Sequence, residues 1–312
     1  MQVIDDRIDL DKYRDLIPGD AHFIRDLAYY GERVKRAMFN PDQVMATELP
    51  WDKCRGNFEL RPGELTVWAG INGHGKSTVV SQVALWGARQ SKWCIASMEM
   101  KPEDTIERMA SMGLGTDSPA PRGVDEIIEY GSGRIWLYDK QDTVDYSHML
   151  KVINYVRHEY GIEHFVIDSL MKCDRRGVNR ELKATAQIDF VNDLATFARD
   201  SGMHIHLVHH MRKGEKESRM PDKFDVRGAS EIVDMADNLV VVHQFKDDED
   251  DEYSELPTHF LRVAKQRHGR FEGKFSFWQA DCMQWVENSL RMPMALLPAN
   301  VYRMNSDMAE EL

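Results

Sequence analysis

The segment Gly70-Ile-Asn-Gly-His-Gly-Lys76-Ser77 constrains this chain more than any other, because it satisfies the pattern Gly-x-x-x-x-Gly-Lys-Ser in full. Its setting agrees with the pattern. An apolar, strand-like run (Leu65–Ala69) leads in, and a helical run (Ser77–Arg89) leads out. In such a loop the glycines let backbone amides turn inward around phosphate oxygens, and the helix N-terminus adds a favourable dipole. Lys76 is placed to reach the β- and γ-phosphates of ATP, and the Ser77 hydroxyl to ligate Mg²⁺. Gly70, Asn72, Gly73, His74, Gly75, Lys76, Ser77 and Thr78 are therefore read as the ATP-binding segment.

The rest of the chain alternates in a way that suits such a loop. Candidate strands are Leu65–Ala69, Trp93–Met98, Ile135–Tyr138, His164–Ile167, His204–Val208 and Leu239–Val242. Helical patterns cover Ser77–Arg89, Lys101–Met112, Tyr146–Tyr160 and Glu181–Ser201. Alternating strands and helices predict an α/β fold, with a mostly parallel sheet covered on both faces. Phe260–Ala264, Lys274–Trp278 and Gln284–Val286 form a strand-rich C-terminal end that can extend the sheet. We expect an N-terminal extension over 1–44, an ATPase domain over 45–290 and an irregular tail over 291–312. Within the extension, Phe23–Met38 has the spacing of an amphipathic helix, packed on its own domain or on a neighbouring subunit.

A P-loop needs an acidic partner for its metal at the end of a nearby strand. Gly161-Ile-Glu-His-Phe-Val-Ile-Asp168-Ser169 ends an apolar run in a carboxylate, so Asp168 is read with Ser77 as the Mg²⁺ site. Hydrolysis also needs a group to orient or deprotonate water. Glu99 ends the strand Trp93–Met98, and in open α/β sheets ligands lie at those strand ends. Glu99 is taken as the general base. His204, His206 and His210 share one strand face and His209 the other. No carboxylate or cysteine stands at ligand spacing to them, so a second metal site is not favoured.

Composition excludes several classes. Of the 312 residues, 42% are hydrophobic and 29% charged, and no apolar run spans a bilayer, so membrane insertion is not expected and a cytoplasmic location is. Cys54, Cys94, Cys173 and Cys282 are scattered, which argues against a zinc ribbon or a disulfide framework. The net charge of −12 does not exclude a nucleic-acid partner. Acid concentrates in Asp247–Glu252, whereas basic residues cluster at Lys172–Arg176, Arg212–Arg219 and Lys265–Arg270, and local potential decides binding.

Arg61-Pro-Gly-Glu before the P-loop, Ser97-Met-Glu99-Met, Val166-Ile-Asp168-Ser, His209-His210-Met-Arg-Lys213, Arg227-Gly228-Ala-Ser and Ala264-Lys265-Gln-Arg267 follow in order. Together they resemble the RecA-like motor domain of DnaB-type hexameric replicative helicases, looking closer to phage primase–helicases and mitochondrial Twinkle than to bacterial DnaB, over roughly residues 45–287. The resemblance implies that Glu99 is the catalytic glutamate and His210 the sensor of the γ-phosphate. It implies that Arg267 is an arginine finger given to a neighbour's ATP, with Lys265 beside it. It further implies a ring, hexameric in the family's manner, that moves 5′→3′ on single-stranded DNA. Lys213, Lys216, Arg219 and Lys223 lie in a polar stretch after His210, where the family grips DNA phosphates; Arg227 follows, and Arg175 and Arg176 after Asp168 form a second candidate. No primase module, zinc-binding Cys pair or DnaB N-terminal domain is recognised. This suggests a phage-encoded, helicase-only protein working beside a separate primase or loader. Two alternatives stay open: a RecA/RadA-type recombinase or mediator, and a regulatory ATPase of the circadian-clock type acting on protein partners.

Overall fold

The computed structural model describes residues 46–174, 183–211, 230–245 and 256–298, together with positions 3–4, 31–32, 34–35 and 39. In chain order the strands are β1 (Val3–Ile4), β2 (Thr47–Glu48), β3 (Glu59–Leu60), β4 (Leu65–Gly70), β5 (Trp93–Ser97), β6 (Ile135–Tyr138), β7 (Val144–Asp145), β8 (His164–Asp168), β9 (Cys173–Asp174), β10 (His204–His210), β11 (Asn238–Gln244), β12 (His259–Gln266), β13 (Gly273–Gln279) and β14 (Trp285–Val286). The helices are α1 (Lys76–Gly87), α2 (Pro102–Leu114), α3 (Pro121–Gly131), α4 (Tyr146–Tyr160), α5 (Lys183–Ser201) and α6 (Ser230–Met235).

Ten strands form one sheet in the order β1-β6-β5-β8-β10-β4-β11-β12-β13-β14. From β1 to β11 every pairing is parallel, and β12, β13 and β14 then continue antiparallel. The expected α/β architecture is present, and the C-terminal strands do extend the sheet. Strand β4 lies near its middle and is buried at every position, with Leu65, Val67 and Ala69 on one face and Trp68 on the other. Helices α4, α5 and α6 cover the first face, through residues such as Val152, Val156, Phe190, Leu194 and Ile232. Helices α1, α2 and α3 cover the second, through Val79, Val83, Met109 and Ile127.

Local chemistry explains the boundaries. α2 and α3 each begin with a proline in their first turn, where its missing N–H costs nothing. Asp145 caps α4 by accepting from the Ser147 amide at 2.9 Å, and Gly161 closes it in the left-handed conformation. Helix α3 has no counterpart in the sequence reading: it spans only 11 residues and has few apolar positions, although those fall on one face. Residues 291–298 are irregular and pack on the core: Leu296 and Leu297 are buried, and Arg89 donates to the carbonyls of Ala295, Leu296 and Leu297. The Phe23–Met38 segment falls mostly outside the described residues. Among the described residues no helix is long and apolar enough to cross a membrane.

The strand histidines of β8 and β10 form a hydrogen-bonded chain inside the sheet's packed core. The Trp68 indole N–H donates to His206 Nδ1 at 3.2 Å, so His206 must carry its proton on Nε2. That proton meets His164 Nδ1 at 3.1 Å, and His164 Nε2 in turn meets the Thr47 hydroxyl at 2.9 Å. His204 sits alongside, donating from Nδ1 to the Arg61 carbonyl at 2.6 Å and accepting the Thr66 hydroxyl at Nε2. Each ring nitrogen is thereby used in the neutral form. Burial holds His204 down to about 4, and it holds His164 and His206 well below the ordinary histidine range. Among the described residues no group of three or more His, Cys, Asp or Glu is placed to hold a metal ion.

A pH dependence of stability follows. Below about pH 6.5 the unfolded chain protonates these histidines and the folded chain does not, so stability falls as pH falls. Three histidines give a slope approaching ~4 kcal/mol per pH unit, reduced by Glu64 and Asp168, whose carboxyls burial pushes up. Urea unfolding midpoints should drop steeply from pH 7 to pH 5.5. A flat profile over that window would show that the histidines do not act this way.

Candidate nucleotide site

The loop after β4 and the C-terminal ends of β5, β8 and β10 converge at one edge of the sheet. Gly70 has no room for a side chain, because a Cβ there would lie 2.4 Å from the Val242 carbonyl of β11. Gly75 takes φ +82° at the start of α1, directly over the Trp285 indole. Trp285 itself is tied to α1 through Gln82: the Gln82 amide donates to the Trp285 carbonyl at 2.9 Å and accepts its N–H at 2.8 Å. Strand β14 thus forms part of the floor beneath the loop, a role that no local pattern around Trp285 announces.

Lys76 is buried, and its ammonium donates to the carbonyls of Gly70 at 3.0 Å and Ile71 at 2.9 Å. Burial lowers its pKa to about 8, while Asp168 and Glu99 act to raise it. The Ser77 side chain stands close enough to the Asp168 carboxylate to stabilise its charged form. Asp168 is pushed up by burial first and by Glu99 as well; Ser77, Lys76 and Arg108 pull it down. A buried carboxylate joined to a hydroxyl is a donor set that suits a hard, oxygen-liganded cation such as Mg²⁺.

Asp168 and Glu99 are brought together by register. Ser97 of β5 lies opposite Asp168 of β8, and the Met98 amide donates to the Asp168 carbonyl at 2.9 Å. The Ser169 hydroxyl then donates to Glu99 Oε1 at 2.6 Å. It also lies 3.4 Å from His210 Nε2, which is 3.7 Å from the same glutamate oxygen. Glu99, Ser169 and His210 therefore form one contact group, which links the end of β5 to the end of β10. In the sequence, Ser169 is visible only as the small residue after Asp168.

Two residues add to the sequence reading. His74 does not present its ring to the inside of the loop. It is buried, with Nδ1 accepting the Gln244 amide at 3.1 Å and the ring 5.0 Å from that of His243. Its role is to dock the loop on β11. Asn72 and Gly73 remain exposed at the loop tip and Thr78 is buried on α1. The second is Arg108 on α2, which sequence reasoning misses. It is half-buried, and Asp168 is the charge that acts on it most strongly. Thr105, one turn earlier, reaches Ser97 at 3.4 Å, which fixes this helix face over the strand ends. A lone arginine shortly after Glu99 carries no signal until the helix is placed.

Lys265 and Arg267 lie at the opposite edge of the sheet. β12 runs antiparallel to β11, and Gln266 pairs with Asn238, which pairs with Thr66 at the start of β4. The Lys265 ammonium donates to the carbonyls of Val233, Asp234 and Ala236 at 2.8–2.9 Å and so caps the C-terminus of α6. Arg267 donates to the Asp234 carbonyl at 3.0 Å and pairs with Asp237 at 3.2 Å, leaving its side chain 40% exposed. Lys213, Lys216, Arg219, Lys223, Arg227, Arg175 and Arg176 lie outside the described residues.

Comparison with known proteins bears on the family and the fold. The AAA domain family matches residues 47–216, more than half of the chain. The Twinkle homolog protein, chloroplastic/mitochondrial, of Arabidopsis thaliana is 23% identical over 217 residues, which cover 64% of this chain and 30% of that protein. The chain thus spans about a third of that relative's length. Among solved structures, an isolated ATPase domain superposes with a TM-score of 0.69 at 16% identity, covering 84% of this chain and all of that one. A DnaB-like replicative helicase, described with its interactions with primase, gives 0.64 at 16% identity, covering 84% of this chain and 67% of that one. A KaiC-like protein from Pyrococcus horikoshii gives 0.54 at 19% identity, covering 78% and 97%. The chain belongs to the AAA domain family, with the RecA-like fold of DnaB-type helicase motor domains.

Proposed function

We propose that this protein is an ATP-driven DNA helicase motor whose subunits form a ring and translocate on single-stranded DNA, 5′→3′ by resemblance. The observation that carries this reading is the division of the site between two edges of the sheet. Lys76, Ser77, Asp168, Glu99 and His210 gather at the strand ends beside the P-loop. Arg267 stands at the other end of β4, roughly 16 Å away along five strand residues, and is held there by its own chain. That span prevents it from reaching the nucleotide of its own subunit. A finger so placed serves a neighbour, which makes hydrolysis depend on assembly.

In this reading the P-loop amides and Lys76 bind the ATP phosphates, and Thr78 and the loop backbone hold their position. Ser77 and Asp168 would hold Mg²⁺, which would supply charge neutralisation at the phosphates. Glu99, oriented by the Ser169 hydroxyl, accepts the proton of the attacking water. Arg108 adds positive charge on the same side. His210 shares Ser169 with Glu99 and is followed directly by the basic stretch 212–223, so changes at the phosphate reach the segment proposed to grip DNA. Lys213, Lys216, Arg219, Lys223, Arg227, Arg175 and Arg176 would pair with phosphates of single-stranded DNA without reading sequence. A separate primase or loader is the partner this reading implies.

The test is ATP hydrolysis measured with and without single-stranded DNA. Wild type should be stimulated by DNA, and Arg267→Ala should lose about 10³-fold or more in turnover while keeping its nucleotide affinity. Unchanged turnover in Arg267→Ala would remove it from the site, and absence of DNA stimulation would favour an ATPase acting on protein partners. A second expectation concerns Arg108. Arg108→Ala should lower turnover by about 10-fold or more, and mixing it with Arg267→Ala should restore activity, because each supplies the half-site the other lacks. Failure of that mixture would place Arg108 outside the P-loop half.

A further inference from the structure

Asp237 belongs to none of the motifs, yet it bonds both Arg267 and the strand that leads into the P-loop. It is 2% exposed and stands between α6 and β11. Its backbone amide donates to the Leu65 carbonyl at 3.0 Å, and the Leu65 amide donates back to Asp237 Oδ2 at 3.0 Å. The first residue of the P-loop strand is thus bonded to it twice. Its other carboxylate oxygen, Oδ1, lies 3.2 Å from Arg267 Nε, and its carbonyl accepts the Arg267 amide at 2.9 Å. Both oxygens of a buried carboxylate are therefore committed, one to β4 and one to the guanidinium.

The guanidinium is correspondingly fixed on one side. Nε is on Asp237 and one terminal nitrogen is on the Asp234 carbonyl, while the side chain as a whole stays 40% exposed. A long side chain at a surface ordinarily samples many rotamers, and a charge-assisted bond from a buried, doubly anchored carboxylate selects one. The remaining terminal nitrogen is not committed to either of these partners.

We propose that Asp237 is the positioning residue for Arg267: it aims the guanidinium at the neighbour's ATP. Through Leu65 it also ties the finger that a subunit gives away to the strand that carries that subunit's own P-loop. This rests on the reading of Arg267 as a finger in trans. Lys265 takes no part in the aim, since its ammonium donates to three carbonyls at the end of α6.

The experiment uses the full chain with single-stranded DNA. Asp237→Asn should lower turnover by up to about 100-fold, the loss expected when a reacting group is misplaced by about 1 Å, with affinity for a fluorescent ATP analogue unchanged. Combined with Arg267→Ala it should lower turnover no further than Arg267→Ala alone. Mixing Asp237→Asn with Glu99→Ala should recover activity, because the Glu99→Ala subunit offers an intact, well-aimed finger to the intact P-loop of its neighbour. If Asp237 instead only braces β4, the variant loses nucleotide affinity in its own site and the mixture stays inactive, which overturns the proposal. Wild-type turnover in Asp237→Asn overturns it as well. Should Asp237→Asn not fold, Asp237→Glu, which keeps the charge but moves it by one methylene, is read by the same mixture and affinity. Full turnover in Arg267→Ala would instead sink the finger itself, so the two failures are told apart.

Discussion

Strand β4 is the member on which the rest of this structure depends. It is buried over its whole length between β10 and β11, and its two ends carry different chemistry. At the C-terminal end the chain must turn sharply into α1 against the β11 backbone, which only glycine at position 70 permits. At the N-terminal end Leu65 is bonded to Asp237, and Asp237 to Arg267. A strand packed on both faces and paired on both edges is a stiff element, since any shift must break several hydrogen bonds and repack both cores. Geometry imposed at one end is therefore felt at the other.

The burial that gives β4 this stiffness also forces polar groups into low-dielectric surroundings, and the fold answers in two ways. Among the strand histidines of β8 and the first half of β10, the buried nitrogens are all paired. The Trp68–His206–His164–Thr47 chain lets each histidine stay neutral with both nitrogens engaged, which avoids the ~1–3 kcal/mol cost of each unmet buried partner. At the proposed nucleotide site, charges are left without full pairing. Asp168 lies within the field of a second carboxylate, Glu99, which Ser77 and Lys76 oppose. Lys76 is partly desolvated on two loop carbonyls. Two carboxyls and a depressed ammonium at one strand edge form a site whose charges are best satisfied by phosphate and a divalent cation together.

Much of this is legible in the sequence because it is local or periodic. The P-loop names its own backbone geometry, alternating runs name strands, and Asp168 and Glu99 can be placed because strand ends converge in any parallel sheet. What is not legible depends on packing between distant segments. His74 looks like a phosphate-facing loop residue, and only the neighbouring β11 shows that its ring is used for docking. Arg108 needs the helix axis, Trp285 needs the antiparallel strands to fold back under α1, and Asp237 needs the register of β11 against β4. None of these four has a spacing signature, because the partners that define them meet only through the tertiary fold. Gln82 and Trp285, separated by 203 residues along the chain, are the clearest case.

Lys265 carries the last step of this argument. By resemblance it stands beside Arg267 as a second cation for the neighbour's phosphates, yet its ammonium has three donors and three carbonyl acceptors, all at the end of α6. Moving it to a phosphate would leave the carbonyls of Val233, Asp234 and Ala236 without that partner and uncap the helix that follows residues 212–229. Arg267, by contrast, commits Nε and one terminal nitrogen and needs no such rearrangement to use the other. The two cations thus differ in cost of use: in the proposed assembly Arg267 can act across an interface as it stands, whereas recruiting Lys265 would require α6 to loosen. If both engage the same phosphate, the second engagement must be coupled to α6, and through it to the basic stretch just before that helix.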